Sequence, residues 1–426
     1  MKLVVSKSLL SGKVVMPASK SHTIRALAIA SLANGQSLIQ KPLVSRDTLS
    51  AVNCYRELGA EIDILDSNLW KVSGTNGHIN AIGQTIDVGN SGTTLRFAMG
   101  SAALAEQGQV ITFTGDEQIQ TRPVGSLMKS LMDLGASCKS IKDNGKIPVQ
   151  ISGKLKGGKT SISATTSQYL SSLLLCTPLA ANDTEIEVAL LNEPDYVQMT
   201  LDWLNRQKIQ YENHDFHKFS IRGKQVFKAF EASIPADFSS ATFFLCAGAM
   251  AADKVQLQGL DFSDSQPDKA VVDYLKQMGA NIKIEGKTVT IRGGELRGVR
   301  IDMNRTPDAL CAMAVTAAFA RGTTELINVP QARSKETDRI RCMAKELRKM
   351  NIDIDELPDG LKIHRSKPKA ARLHGWADHR IVMALAMAGL NLEEEFTVDT
   401  AEAIDVTFPD YVKLMQALGA NMELKQ

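Results

Sequence analysis

Six short segments of this chain end alike, and that recurrence limits its possible folds more than any other feature. Tyr55-Arg-Glu-Leu-Gly-Ala60, Leu131-Met-Asp-Leu-Gly-Ala136, Leu204-Asn-Arg-Gln-Lys-Ile209, Tyr274-Leu-Lys-Gln-Met-Gly-Ala280, Glu346-Leu-Arg-Lys-Met-Asn-Ile352 and Leu414-Met-Gln-Ala-Leu-Gly-Ala420 each read as an amphipathic helix tail running into an alternating strand. They recur about every 70 residues, which is an internal repeat. The third and fifth copies lack the glycine and are the weaker members.

Each repeat carries a second helix of another kind. Ile24 to Ala33, Thr94 to Ala105, Tyr169 to Ala180, Ala241 to Ala252, Ala309 to Ala320 and Arg380 to Leu390 are apolar on nearly every face, so they predict buried helices. The strands, such as Leu69 to Ser73 and Thr288 to Arg292, alternate polar and apolar, unlike the continuous apolar strands of a doubly wound sheet. The expected fold is therefore α/β with a core of helices and sheet wrapped around it. Met16-Pro-Ala-Ser-Lys-Ser21 has a near-duplicate in Ile234-Pro-Ala-Asp-Phe-Ser-Ser240, and three repeats follow each, which predicts two domains. The prolines favour extended chain at both junctions.

A chain of 426 residues can bury two or three such cores. Its 49 Lys plus Arg against 47 Asp plus Glu provide no field for nucleic acid or an anionic membrane, so anion chemistry must be local. The most apolar runs, Ala241 to Ala252 and Ile381 to Leu392, fall short of the ~20 residues of a membrane span. Cys54, Cys138, Cys176, Cys246, Cys311 and Cys342 are widely spaced without CxxC pairing, and are read as reduced residues of a cytoplasmic protein. The N-terminal residues read as a strand, not a signal peptide. A monomer is expected, since no coiled coil or long apolar surface run occurs.

The starts of the buried helices are far more polar than their bodies. Lys20, Ser21 and Arg25 cluster before the first, where unpaired N–H groups and the helix dipole favour an anion. Gly89-Asn-Ser-Gly-Thr-Thr-Leu-Arg96 combines glycines and hydroxyls as a small-anion loop does, without the pattern of a nucleotide site. Thr166-Ser-Gln168, Asp237-Phe-Ser-Ser240, Thr306-Pro-Asp308, Ser334-Lys-Glu-Thr-Asp-Arg339 and Asp378-His-Arg380 mark further starts, and Arg122 lies beside a proline. Helix capping is the plain alternative for each, and the favoured one for Asp237 to Ser240. Lys335 and Arg339, at i and i+4, are expected on one helical face. His374 and His379 lack a third ligand with suitable spacing, so no metal is expected. His214 and His217 read as surface residues. Many basic and hydroxyl groups with two candidate acid/base carboxylates, Asp308 and Glu336, suit a reaction between small molecules bearing phosphate and carboxylate.

Pro17-Ala-Ser-Lys-Ser21, Gly89 to Arg96, Gln120-Thr-Arg-Pro123, Ser167-Gln-Tyr-Leu170, Pro307-Asp308, Lys335 to Arg339, Asp378-His-Arg380 and Thr407-Phe-Pro-Asp410 occur in the order and spacing of the 5-enolpyruvylshikimate-3-phosphate (EPSP) synthase family, which the whole chain resembles. The resemblance implies two inside-out α/β barrel domains, each of pseudo-threefold symmetry, built from six βαβαββ-type repeats. They would comprise residues 18–235, and residues 1–17 with 236–426, with the active site in the cleft between them. It implies transfer of the enolpyruvyl group of phosphoenolpyruvate to the 5-hydroxyl of shikimate 3-phosphate, releasing phosphate and needing no cofactor. Lys20, Ser21, Arg25, Thr166, Ser167, Gln168, Tyr196, Asp308, Gln331 and Lys335 would hold shikimate 3-phosphate. Lys20, Asn90, Gly92, Arg122, Gln168, Arg339 and Arg380 would hold phosphoenolpyruvate. Asp308 would accept the hydroxyl proton, and Glu336, with Lys20, would protonate the methylene. Neighbouring cations suit Asp308 as a base and oppose Glu336 as an acid.

The chain departs from the family pattern at several places. Thr166 stands where serine is usual and Gln331 where asparagine is; Asn192 and Glu193 take the place of a serine that touches the substrate phosphate. Val406 stands where many members have a lysine near phosphoenolpyruvate, and a missing charge-assisted contact costs about 1.5 to 3 kcal/mol. Affinity for that substrate and for the family inhibitor glyphosate depends on what replaces it. The alternatives are the sister transferase acting on UDP-N-acetylglucosamine, which carries a loop cysteine absent from Gly108 to Gln120, and a non-catalytic paralogue that binds shikimate phosphate.

Overall fold

The computed structural model describes every residue except Gln84 and Gln107. Among the described residues there are twelve α-helices: α1 (Lys20–Leu32), α2 (Arg46–Glu57), α3 (Gly92–Ala102), α4 (Gly125–Asp133), α5 (Ser167–Cys176), α6 (Pro194–Arg206), α7 (Phe238–Ala251), α8 (Val271–Gln277), α9 (Leu310–Ala318), α10 (Arg339–Lys349), α11 (His379–Gly389) and α12 (Tyr411–Ala417). The odd-numbered ones are the apolar helices, buried along nearly their whole length. The even-numbered ones bury one face only, as in α6, where Val197, Leu201 and Leu204 point inward. Apolar and small side chains on nearly every face explain the first group, since they leave little that needs water and let the helices pack on all sides.

Among the described residues the strands form six four-stranded sheets of one design. In one of them Thr85–Asp87 pairs in parallel with Val110–Thr114, which pairs antiparallel with Val149–Ser152, which in turn pairs antiparallel with Ser137–Ser140. A buried helix connects the parallel pair, and an amphipathic helix leads into the hairpin. Two strands break the chain order. Leu10–Val15 leads into α1 yet pairs with Ala252–Gln258, and Glu231–Ser233 leads into α7 yet pairs with Gln36–Gln40. Lys2–Ser6 completes the last sheet, between Phe396–Asp399 and Asn421–Lys425.

These exchanges divide the chain into two compact units, Met1–Pro17 with Pro235–Gln426, and Ala18–Ile234. Each has its own apolar core, with three buried helices at its centre. Among the described residues no helix is long and apolar enough to cross a membrane.

The third and fifth repeats keep the helix-ending turn without its glycine. Gly59, Gly135, Gly279 and Gly419 end their helices at φ of 103°, 101°, 97° and 92°, and Lys208 and Asn351 take the equivalent place at 58° and 62°. The hydrogen bonds match: Gly59 N to Arg56 O and Ala60 N to Tyr55 O have counterparts in Lys208 N to Asn205 O and Ile209 N to Leu204 O. This is the Schellman ending, so the turn is preserved although the residue is not.

Candidate active site

In the unit Ala18–Ile234 the expected residues gather at three helix starts. Ser19 caps α1, accepting from His22 N at 3.5 Å, which puts Lys20 and Ser21 in its first turn. Lys20 Nζ donates to Asp47 Oδ2 at 2.8 Å, and its side chain is 17% exposed. Arg25 is buried one turn further on. Its Nε donates to Thr200 Oγ1 at 2.9 Å, and its terminal nitrogens donate to the carbonyls of Tyr196 at 2.8 Å and Ser21 at 3.1 Å. The guanidinium lies 5.3 Å from the centre of the Phe97 ring. Burial pushes its pKa down to about 10, against the opposing influence of Tyr196 and Glu193.

At the start of α3 the backbone runs directly against two guanidinium groups. A Cβ on Gly92 would lie 2.6 Å from the Nη1 atoms of both Arg122 and Arg96, so a side chain there would have to push the two guanidinium groups aside. Arg96 donates to Gly92 O at 3.1 Å and Pro123 O at 3.2 Å. Helix N–H groups beside two arginines make the chemistry of an anion site. Asn90 Nδ2 donates to Asp116 Oδ2 at 2.7 Å and Gln118 Oε1 at 2.8 Å.

Thr166 caps α5, accepting from Gln168 N at 3.5 Å, and Gln168 Nε2 donates to Thr93 Oγ1 of α3 at 3.2 Å. Gln168 Oε1 is buried without a hydrogen-bond donor among the described residues. A carboxylate already lies at this helix start. Glu193 Oε2 accepts from Ser167 Oγ at 2.6 Å, Ser167 N at 3.2 Å and Thr166 Oγ1 at 3.4 Å. Tyr196, in the first turn of α6, reaches the cluster through its carbonyl on Arg25.

The unit Met1–Pro17 with Pro235–Gln426 gathers a second set. Arg339, 1% exposed, donates Nη1 to Asp308 Oδ1 at 2.8 Å, Nε to Asp378 Oδ2 at 2.9 Å, and Nη2 to Glu336 Oε2. Arg380 Nη2 lies 3.1 Å from Asp308 Oδ2, so one carboxylate spans both arginines while keeping 21% of its side chain exposed. Burial works against ionisation of Asp308, but Arg380, Lys335 and Arg339 together overcome it and hold the carboxyl well below its usual range. Asp378 is fully buried; it caps α11 through Arg380 N at 2.9 Å and accepts from Thr337 Oγ1 at 3.0 Å. Burial lowers and the carboxylates raise the Arg339 pKa, with Asp378 the strongest, and the balance lies well above the usual value. Gln331 Nε2 donates to Asn304 O at 2.9 Å, and its Oε1 is buried without a donor among the described residues.

One expectation fails here. Lys335 and Arg339 do not share a helical face, because Asp338 caps α10 by accepting from Arg341 N at 3.0 Å, so the helix begins at Arg339 and Lys335 lies in the loop before it. Sequence reasoning also missed partners. Asp47, Thr200 and the counter-charge role of Asp378 carry no local signal, though Asp378 was legible as a helix start. Glu193 is legible in the sequence as a departure from the family pattern, but not as an occupant of the α5 start.

The family model for EPSP synthase (3-phosphoshikimate 1-carboxyvinyltransferase) matches residues 4–415. Curated relatives named 3-phosphoshikimate 1-carboxyvinyltransferase include one from Acetivibrio thermocellus, 53% identical over 99% of both chains, and one from Ruminiclostridium cellulolyticum, 48% identical over 99% of both. Among solved structures, EPSP synthase from Acinetobacter baumannii superimposes with a TM-score of 0.82 at 26% identity, covering all of both chains. The enolpyruvyl transferase NikO from Streptomyces tendae, at 17% identity and a TM-score of 0.80, shares the fold. Matched by the family model over residues 4–415 and 53% identical to a curated relative over 99% of both chains, this chain belongs to the EPSP synthase family.

Proposed function

We propose that Asp308 is the base of an enolpyruvyl transfer to which both units contribute groups. The enzyme transfers the enolpyruvyl group of phosphoenolpyruvate to the 5-hydroxyl of shikimate 3-phosphate and releases phosphate. The hydroxyl oxygen bonds to the enol carbon while the methylene gains a proton, giving a tetrahedral intermediate; phosphate and a proton from the new methyl then leave. Asp308 takes the hydroxyl proton, and Glu336, assisted by Lys20, handles the proton at the methylene. Lys20, Asn90, Gly92, Arg122, Gln168, Arg339 and Arg380 bind phosphoenolpyruvate. Lys20, Ser21, Arg25, Thr166, Ser167, Gln168, Tyr196, Asp308, Gln331 and Lys335 bind shikimate 3-phosphate, with Thr166 and Ser167 at its phosphate ester.

The observation that carries this reading is the Asp308 carboxylate between Arg339 and Arg380. A base must be ionised, and these cations keep it so. They also make it weak, because a carboxyl with a depressed pKa has little pull on a proton. An anionic substrate that takes up Arg339 and Arg380 removes that restraint, so binding of phosphoenolpyruvate strengthens the base as the reaction needs it. Glu336 must likewise part from Arg339 before it donates.

The repeated sheets and buried helices support two inside-out barrels of pseudo-threefold symmetry. A cytoplasmic monomer without nucleic-acid partner is the simplest setting. The test is phosphate release: it is expected with both substrates together and with neither alone, and UDP-N-acetylglucosamine is expected not to replace shikimate 3-phosphate. Asp308→Ala is expected to lower kcat by about 10²- to 10⁴-fold, the usual share of a general base. Its dissociation constant for shikimate 3-phosphate should stay within about tenfold, roughly 1.4 kcal/mol. Near-normal turnover in that variant overturns the assignment.

A further inference from the structure

We propose that Glu193 is a built-in competitor for the phosphate of shikimate 3-phosphate, and that displacing it sets the affinity for that substrate. This rests on the reading that Thr166 and Ser167 receive the phosphate ester.

Three donors at the start of α5 converge on one oxygen of Glu193: the Ser167 hydroxyl at 2.6 Å, the Ser167 N–H at 3.2 Å and the Thr166 hydroxyl at 3.4 Å. Such a donor set, at the positive end of a helix, is what an anionic phosphate oxygen requires. The carboxylate is 2% exposed and lies close enough to Arg25 to counter the loss of basicity that burial imposes on it. Glu193 therefore satisfies with its own charge the groups that the substrate needs.

Helix capping does not account for this placement. The start of α5 has its own cap in Thr166, whose hydroxyl accepts from Gln168 N. Helices α1, α7 and α11 likewise rely on the residue directly before them, Ser19, Asp237 and Asp378. Glu193 comes from 26 residues downstream of Ser167. It stands at the N-cap position of α6, yet its side chain caps nothing in that helix. Its backbone is left-handed, at φ 60° and ψ 50°, a conformation that non-glycine residues adopt reluctantly, and Pro194 follows at once. The loop thus holds an unusual conformation in which the carboxylate reaches a neighbouring helix.

A doubly charged phosphate ester cannot share this pocket of donors with an ionised carboxylate. Two anions on the same hydroxyls repel, so the side chain must swing away, and the free energy of that exchange is subtracted from substrate binding.

The experiment measures the dissociation constant for shikimate 3-phosphate by calorimetry and the KM and kcat for the same substrate, in the full-length protein and in Glu193→Gln, Glu193→Ala and Ser167→Ala. Glu193→Gln keeps shape while removing charge, and is expected to tighten binding by about tenfold, with KM falling alongside. Glu193→Ala is expected to tighten it at least as much, whatever it does to thermal stability. Ser167→Ala is expected to weaken binding. If Ser167→Ala leaves the affinity untouched, the assignment of the phosphate site itself fails and takes this inference with it. If Ser167→Ala weakens binding but both Glu193 variants bind no better than the parent, the site stands and the inference is overturned. A lower melting temperature in Glu193→Gln with unchanged affinity has the same meaning, since that is what a merely structural contact predicts.

Discussion

Two buried arginines, one in each unit, are stabilised in opposite ways. Arg25 is held by neutral groups: two backbone carbonyls and the Thr200 hydroxyl. Arg339 is held by three carboxylates, from Asp308, Glu336 and Asp378. Burial without a directly bonded acid pushes the Arg25 pKa down to about 10, whereas the acids raise that of Arg339 despite equal burial. The difference lies in what surrounds each cation. Around Arg25 the donated hydrogen bonds go to neutral oxygens. Around Arg339 the partners are acids, and one of them, Asp308, is held ionised while 21% of its side chain stays exposed. One guanidinium is thus solvated by neutral oxygens and the other is paired with acids.

The sharpest way to break this comparison is to remove one partner from each arginine. Asp378→Asn takes away half of a bidentate, fully buried pair and leaves a cation with too few acids. A loss of about 3 to 5 kcal/mol is expected, the cost of breaking a buried ion pair from one side. Thr200→Val removes one neutral partner of Arg25 while both carbonyls remain. About 1 to 3 kcal/mol is expected there, the penalty for one buried donor left unsatisfied. Urea unfolding of both variants measures this directly. Equal losses contradict the view that charge pairing in one unit and carbonyl solvation in the other are different devices.

Acid should also tell the units apart. Asp308 and Asp378 both have folded-state pKa values below their usual range. A carboxyl of that kind contributes stability that is fully present above its unfolded value, about 4, and lost as pH falls through the folded one. Arg25 does not titrate in that window. Between about pH 4 and pH 2 the parent is therefore expected to lose more stability than Asp308→Asn, which has one fewer such group. Melting temperatures at a series of pH values measure the slope, and parallel slopes in the two proteins contradict the assignment.

How much of this was legible beforehand follows from the range of each interaction. The buried helices and the repeat could be read because apolar runs such as Ala241 to Ala252 and Gly-Ala endings are local signals. The candidate cations could be read because they lie at polar helix starts. Their partners could not. Lys20 finds Asp47 27 residues away, Arg339 finds Asp378 39 away and Arg25 finds Thr200 175 away, and no periodicity encodes such separations. Lys335 and Arg339 differ from the spacing for another reason: the i, i+4 pattern is helical only if the helix includes Lys335, and Asp338 caps it so that it begins at Arg339.

The smallest effect compares repeats instead of arginines. Lys208 and Asn351 occupy the left-handed helix endings that glycine fills in the other four copies. Asparagine tolerates that region better than lysine does, because its short side chain bonds locally. Lys208→Gly is therefore expected to stabilise the unit Ala18–Ile234 slightly, by no more than about 1 kcal/mol, since relief of the strained φ is offset by the greater freedom glycine gains when unfolded. Asn351→Gly should change stability less. Gly135→Ala, which imposes the strain where none exists, should destabilise by about 1 to 2 kcal/mol. Denaturant midpoints for the three variants measure the ranking. If Lys208→Gly proves as destabilising as Gly135→Ala, the lysine side chain is contributing packing at this turn, and the third repeat differs from its neighbours in more than the residue that ends its helix.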